Sequence, residues 1–381
     1  VVFGKKIKVL LVQGHAKQTN TAAFNRNAAV EKMVKSVFDY ELIAPEKPFS
    51  KIKNRIISGV INRHLLVKVT KKKIAKCSDQ INHVIFLRSI DPFVALFIWL
   101  SARPKGIKLA LERNEFPAVF IQNGSNLIKK MFYRYFILPW HYRLFDVLFL
   151  MTDELLQFYG RYAGQHCILQ KLPMTVDFTR FESNTLPSPD VPYIFYAGSL
   201  SEAKDGVESL ICAFSKIADD FPELSLKIAG GSKTGTLEKR LSDIIAEKQL
   251  SDRISLLGFV DRNEIPQYLC AAKMVVLPRP DSLQARGGFP TKLGEYLAAG
   301  RPVIVTRVGE IPKYLSEDDV FFISPDDIEN ELIQKMKYIL LHEKKALETA
   351  SSGKAAAKKY FSLEANQGSV KSAFERLFEK K

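Results

Sequence analysis

The chain has 381 residues, 46% hydrophobic and 25% charged, enough for two ordinary globular cores and incompatible with a disordered chain or a collagen-like repeat. Four cysteines, Cys77, Cys167, Cys212 and Cys270, show no metal-ligand spacing and do not make a small disulfide scaffold, so they suit a reducing compartment. The net charge of +15 is segregated: residues 1–182 carry 29 basic and 13 acidic side chains, residues 183–381 carry 27 and 28, and the first half is therefore expected to face something anionic.

In chain order, Ile7–Gln13 is the first predicted strand, followed by VQGHAKQTN with Gly14 and His15. Residues 47–76 hold ten Lys or Arg and no acidic residue, with Ile52, Ile56, Val60 and Ile61 at helical spacing. His83–Leu87 is the next strand. The longest apolar run, Pro92 to Leu100, is about half of the ~20 residues a spanning helix needs. No N-terminal signal pattern is present, so a cytoplasmic protein that touches a membrane is expected. Lys108–Leu111 is a strand running into LERNEFP. Residues 129–143 mix Lys129, Lys130, Arg134 and Arg143 with Phe, Tyr and Trp. Basic segments of this kind suit an anionic membrane surface or a solvated outer face. Nucleic acid is disfavoured because no recognition module accompanies them. Val147–Met151 and Ile168–Leu172 are the last strands of this half, and SNTLPSPD (183–190) reads as a linker.

The second half alternates more cleanly. VPYIFYAG (191–198) is a strand entering a glycine turn, and Val207, Leu210, Ile211, Phe214 and Ile217 mark one face of a helix. LSLKIAGG (224–231), RISLLGFV (253–260), KMVVLP (273–278) and RPVIVT (301–306) are further apolar strands separated by helical patterns. Such alternation predicts an α/β chain of two doubly wound parallel sheets. Sheets of that kind take ligands at the C-terminal ends of their strands.

Several common signatures are missing. No G-x-G-x-x-G or G-x-S-x-G occurs, GGSKTGT (230–236) lacks the lysine a P-loop needs after Gly235, and no H-x-x-x-H pair supports zinc. Two loops remain. AGSLSEAKDGV (197–207) sets Gly198, Ser199, Lys204 and Gly206 before a helix, which suits either a diphosphate at the helix N-terminus or an ordinary glycine turn. LPRPDSLQARGGFPTKLGEYLAAGRPVIVT (277–306) leaves a strand, passes Gly287 and Gly288, and enters a helix near Pro290. Glu295 then lies five residues into that helix.

Together these segments resemble the donor half of the large retaining glycosyltransferase family conventionally numbered four, which has the GT-B architecture. Lys204 matches the family's phosphate-binding lysine, Glu295 the second glutamate of E-x7-E, and LAAGRPVIVT the run that follows. LPMTVDFTRF (172–181) resembles the interdomain P-x-G-V-D-x-x-x-F motif. The resemblance is strong over residues 172–323 and only architectural before them. Two positions depart from the pattern. Gly287 stands where the first glutamate of E-x7-E would fall, and Ser199 stands where an arginine usually follows the loop glycine. Arg279, Arg286 and Lys292 are candidates to restore that charge.

The resemblance implies a two-domain enzyme. Residues 1–182 would bind the acceptor, 191–360 the nucleotide-diphosphate sugar, and 361–381 would cross back to the first domain. It implies transfer with retention, without metal or cofactor, to a hydroxyl of a glycan or lipid-linked acceptor in surface polysaccharide or glycolipid assembly. Lys204 would stabilise the departing diphosphate, Glu295 would accept the ribose hydroxyls, and Gly258, Phe259 and Val260 would line the base pocket. Gly198, Ser199, Gly288, Phe289, Pro290 and Thr291 complete the expected donor site. In the first half Glu112 and Glu115 are catalytic candidates, with Arg113, Asn114, Gly14 and His15 at the acceptor side, although LERNEFP also suits a surface turn and His15 a satisfied loop histidine. A sugar-nucleotide epimerase, or an inactive subunit that anchors a partner to a membrane, are the alternative readings.

Overall fold

The computed structural model describes residues 6–13, 22–44, 55–88, 90–121, 126–182, 191–198, 200, 205–232 and 235–379. The chain divides into two compact units. The first comprises Val1–Gln18, Val30–Pro173 and Asn366–Lys381; the second comprises Thr19–Ala29 and Met174–Ala365. The expected linker, 183–190, lies outside the described residues.

In the first unit six strands form one parallel sheet: β1 (Ile7–Gln13), β2 (Asp39–Ile43), β3 (Asn82–Arg88), β4 (Lys108–Arg113), β5 (Val147–Leu150) and β6 (Ile168–Lys171). Their order is β2-β1-β3-β4-β5-β6. The central strands are apolar on both faces because helices cover both: Val9, Leu11, Val84, Ile85, Leu111 and Phe149 have no exposed surface. The strand order reverses between β1 and β3, which makes the C-terminal ends of those strands the expected ligand edge. Phe374, from the C-terminal helix Leu363–Arg376, packs its ring against Phe38, Phe86 and Phe149 at centroid separations of 5.5, 5.7 and 5.5 Å.

The second unit repeats the plan with β7 (Tyr193–Ala197), β8 (Ser225–Ala229), β9 (Ile254–Gly258), β10 (Met274–Leu277), β11 (Val303–Thr306) and β12 (Phe321–Ile323). The order β12-β11-β10-β7-β8-β9 is all parallel. Here the reversal falls between β7 and β10. Ile194, Leu210, Ile211, Phe214, Leu226, Met274, Val276 and Ile304 fill the core between sheet and helices. The expected fold class is the one observed. Two strands were not anticipated. β2 carries Asp, Tyr and Glu at a sheet edge, and β12 is only three residues long.

Candidate functional site

In the second unit the β7–β10 switch point gathers the residues that the sequence singled out. Strand β7 ends at Ala197, whose N–H donates to the Tyr296 hydroxyl at 2.8 Å while that hydroxyl donates to the Ala197 carbonyl at 2.9 Å. Gly198 follows and donates to the Ala229 carbonyl at 2.9 Å. A side chain at Gly198 would collide with the Lys292 ammonium, and one at Gly230 with the Gly198 carbonyl. Gly230 also has a φ of +138°, a conformation open to glycine. Gly198 is thus packed between the Lys292 ammonium and the Gly230 backbone. Across the switch point the Gly206 N–H donates to the Pro278 carbonyl at 2.8 Å, and a Cβ at Gly206 would lie 2.5 Å from that oxygen. The helix Val207–Ser215 therefore starts beside the end of β10 with Gly206 at its cap position and no side-chain cap. Uncapped N–H groups at a helix start attract an anion.

Of the three cations that could replace the family arginine, Lys292 reaches this loop. Its Nζ bonds the Tyr196 hydroxyl and a carboxylate oxygen of Asp205, each at 3.0 Å, and lies 4.8 Å from the Tyr196 ring centroid. Asp205 is buried. Burial, followed by the negative charge of Asp205, pushes the Tyr196 hydroxyl well above the usual tyrosine range, so it stays protonated. Arg286 instead bonds Asp281 with two nitrogens, at 3.0 and 2.6 Å, on the surface. Arg279 is buried just after β10. Lys204 and Ser199 lie outside the described residues, as do Gly14 and His15.

The loop 277–306 contains an unanticipated short helix, Leu283–Gly287, capped by the Ser282 hydroxyl accepting from the Ala285 N–H at 3.1 Å. Gly287 and Gly288 are buried. Phe289 points into an aromatic cluster with Tyr314 and Phe361, at 5.8 and 5.1 Å between centroids. Pro290 occupies the cap position of the helix Thr291–Ala298, one residue earlier than the first turn. Glu295, on that helix, holds its Oε1 against Asn25 Nδ2 at 2.9 Å and against Arg180, while Arg180 Nη2 bonds the Arg262 carbonyl at 2.7 Å. Among the described residues Glu295 Oε2 makes no hydrogen bond. Phe259 follows β9 with 72% of its surface exposed and rests over Gly231, where a Cβ would lie 2.6 Å from the ring. Gly258 has a φ of +65° and accepts from the Gly230 N–H at 2.6 Å. Val260 is half-buried. An exposed aromatic plane and a glutamate oxygen are groups that suit a nucleoside.

In the first unit LERNEFP begins as the end of a strand, Leu111–Arg113, and continues into a bend at Asn114 and Glu115. Glu112 is buried in β4 opposite Arg88 of β3, with a 2.5 Å ion pair and side chains 2% and 3% exposed. That pairing gives Glu112 a charge-balancing task inside the sheet. Arg113 ends β4 among Tyr142, Tyr133, Tyr159 and His141, Asn114 is half-buried, and Glu115 is exposed. His141 is fully buried and its pKa is lowered to about 3, first by burial and then by Arg113. Arg88, Asp205, Arg180, Asn25 and His141 escaped sequence reasoning, because only the tertiary fold supplies their partners.

The described helices include none long and apolar enough to cross a membrane. The basic stretches nevertheless frame an exposed apolar surface. In the helix Pro92–Ala102, Phe93, Phe97 and Leu100 are about half exposed, and in residues 127–136 Leu127, Ile128, Met131, Phe132, Tyr135 and Phe136 are exposed at least as far. Phe93 meets Trp140 at 6.0 Å between centroids, joining the two segments, and Lys71 Nζ lies 5.8 Å from the Phe97 ring. Lys129 and Arg134 are exposed within the patch.

Two parallel doubly wound units with a glycine-lined switch point define the GT-B class of fold. Over 98% of this chain and 99% of the other, it superimposes on a sucrose-phosphate synthase from Thermosynechococcus elongatus with a TM-score of 0.74 at 17% identity. The Anabaena protein HepE, solved in complex with UDP, matches with a TM-score of 0.66 at 15% identity over 97% of this chain and 100% of its own. Residues 191–342, a part of the second unit, match the model of the glycosyl transferases group 1 family. A colanic acid biosynthesis glycosyltransferase described as putative, WcaL of Escherichia coli K12, is 26% identical over 181 residues, 46% of this chain and 44% of that protein. The chain thus matches less than half the length of that curated relative.

Proposed function

We propose that the protein transfers a sugar from a nucleotide-diphosphate donor to a hydroxyl of a glycan or lipid-linked acceptor, with retention and without a metal, in surface polysaccharide or glycolipid assembly. The observation that carries this reading is the β7–β10 switch point, where Gly198 lies between Lys292 and the Gly230 backbone, beside the uncapped start of the helix Val207–Ser215. Backbone N–H groups and a lysine there supply the electrostatic help that a departing diphosphate needs. Lys204, three residues ahead of that helix, adds the charge assigned by the family resemblance. Phe259 offers a face to the base, and Glu295 offers Oε2 to the ribose hydroxyls. Gly287 puts no carboxylate beside the sugar, so donor recognition relies on neighbouring groups of the same loop.

Calorimetric titration with UDP and GDP, followed by a panel of their sugars, tests the reading. One nucleotide is expected to bind with its sugar, and turnover is expected to require an acceptor. Interconversion of the donor alone would replace the reading with an epimerase, and binding of no nucleotide would replace it with a non-catalytic role.

The first unit supports attachment to an anionic membrane. Its exposed aromatic patch carries Lys71, Lys129 and Arg134, and each such cation contributes roughly 1 kcal/mol near an anionic leaflet. Both tryptophans, Trp99 and Trp140, lie in these segments. Vesicles containing anionic lipid should shift their fluorescence to the blue, and salt should weaken the effect. Equal response to purely zwitterionic vesicles, or none to either, would remove the membrane from the account.

A further inference from the structure

Arg113 is a half-buried cation with no acidic partner among the described residues. It closes β4 at the ligand edge of the first sheet. Its Nε donates to the Tyr142 hydroxyl at 3.1 Å and its Nη2 to the Ile90 carbonyl at 3.4 Å, and Nη2 also lies 3.4 Å from His141 Nε2. Ile90 belongs to the segment just after β3, so this contact brings the guanidinium to the strand-order switch point. All of these partners are neutral. The neighbouring carboxylate, Glu112, is committed to Arg88. Among the described residues no acidic side chain pairs with Arg113, and its Nη1 makes no hydrogen bond.

A guanidinium stays protonated at any physiological pH, and holding one half out of water beside neutral groups alone is unfavourable unless something supplies the missing charge. His141 cannot add to it or offset it, since burial beside Arg113 keeps the imidazole neutral. Two further polar atoms on this edge are buried without a partner: Asn114 Oδ1, on the next residue, and Gln13 Nε2, at the end of β1. The Asn114 amide can turn to present its NH₂ instead. The edge therefore offers a forked cation and two amides whose hydrogen bonds are not completed internally. That combination matches an oxyanion, which takes a guanidinium side-on through two oxygens.

We propose that Arg113 receives an anionic group, a phosphate or a carboxylate, carried by the molecule that accepts the sugar. The assignment of that molecule as the acceptor rests on the glycosyltransferase reading; the anion site itself does not. A phosphate would come from a phosphorylated sugar or lipid head, a carboxylate from an acidic sugar.

The test is calorimetric titration of the full-length protein, with its nucleotide site first saturated by UDP or GDP, using pyrophosphate in one arm and glucuronate in the other. Wild-type protein is expected to bind one equivalent of one of them. Arg113→Gln should weaken that binding at least about tenfold, the loss of one charge-assisted contact. Arg113→Lys, which keeps the charge without the fork, should fall between. If Arg113→Gln fails to fold, Arg113→Lys and Tyr142→Phe decide. The first should bind more weakly and the second, whose cation is intact, should still bind. Binding in the pyrophosphate arm identifies a phosphate, and binding in the glucuronate arm a carboxylate. Absence of both in wild type, or unchanged affinity in Arg113→Gln, overturns the proposal. Failure of nucleotide to bind in the same titrations would instead overturn the glycosyltransferase reading and leave the anion site standing on its own result.

Discussion

Replacing Glu112 by Gln leaves the shape of β4 unchanged and removes the negative charge that faces Arg88. The pair is almost dry, with side chains 2% and 3% exposed and 2.5 Å between donor and acceptor. Removing one partner of such a buried pair costs about 3–5 kcal/mol. Removing both charges with the double variant Arg88→Met, Glu112→Leu is expected to be near neutral, or to stabilise by up to about 1–4 kcal/mol. Urea unfolding followed by tryptophan fluorescence measures this in the right place, because Trp99 and Trp140 both belong to the first unit. The expected order of midpoints is double variant at or above wild type, with Glu112→Gln well below both. A Glu112→Gln midpoint equal to wild type would refute the reasoning. The folded double variant also separates structure from chemistry: retained turnover assigns Glu112 to charge balance, and selective loss of kcat returns it to the catalytic group.

Other outcomes follow from the same geometry. Lys204→Ala should lower kcat by about a hundredfold to a thousandfold, the usual loss of a transition-state electrostatic donor, whereas Glu295→Gln should mainly raise the donor KM. Equal effects on both parameters would undo the division of labour. Gly198→Ala pushes a methyl group into the Lys292 ammonium; since a lysine tip can move, nucleotide affinity should fall while the melting temperature changes little. Lost stability with unchanged affinity would move the site elsewhere. His141 is protonated in the unfolded chain below about 6.5 and in the folded chain only below about 3. The unfolded state therefore binds the extra proton between those values, and stability of the first unit falls as pH drops through that window, by at most about 1.4 kcal/mol per pH unit. His141→Gln should flatten that dependence, as read by urea midpoints at pH 7 and pH 5. Since no D-x-D pair stands at a donor-half strand end in the sequence, EDTA should leave transfer intact, and loss restored by manganese would contradict this.

The parts of the molecule that were readable in the sequence are those where burial dictates residue type. Strands such as VLLVQ and YIFYA are covered on both faces, so they stand out as uninterrupted apolar runs. Strand β2 did not, because an edge strand can carry Asp39, Tyr40 and Glu41 without penalty. In the sequence the helix Pro92–Ala102 stands out only as a run too short to span a bilayer. Its pattern gives no hint that Phe93, Phe97 and Leu100 stay exposed, since helical apolarity alone does not say which neighbours cover it. Gly198 and Glu295 were found through their motifs. Their partners were not: Asp205 for Lys292, and Asn25 and Arg180 for Glu295, are 87, 270 and 115 residues away. Pairings over such distances leave no local periodicity to read.

The claim on which the account turns is that the second unit binds a nucleotide diphosphate at the β7–β10 switch point. Thermal melting of the full-length protein with UDP and GDP, compared between wild type and Gly198→Ala, addresses it most directly. Ligand at about 100 times its dissociation constant adds about 2.7 kcal/mol of stability to the state it binds. A clear rise in melting temperature with one of the two nucleotides, lost in Gly198→Ala, is the expected result. No rise with either nucleotide, or the same rise in both proteins, would contradict it.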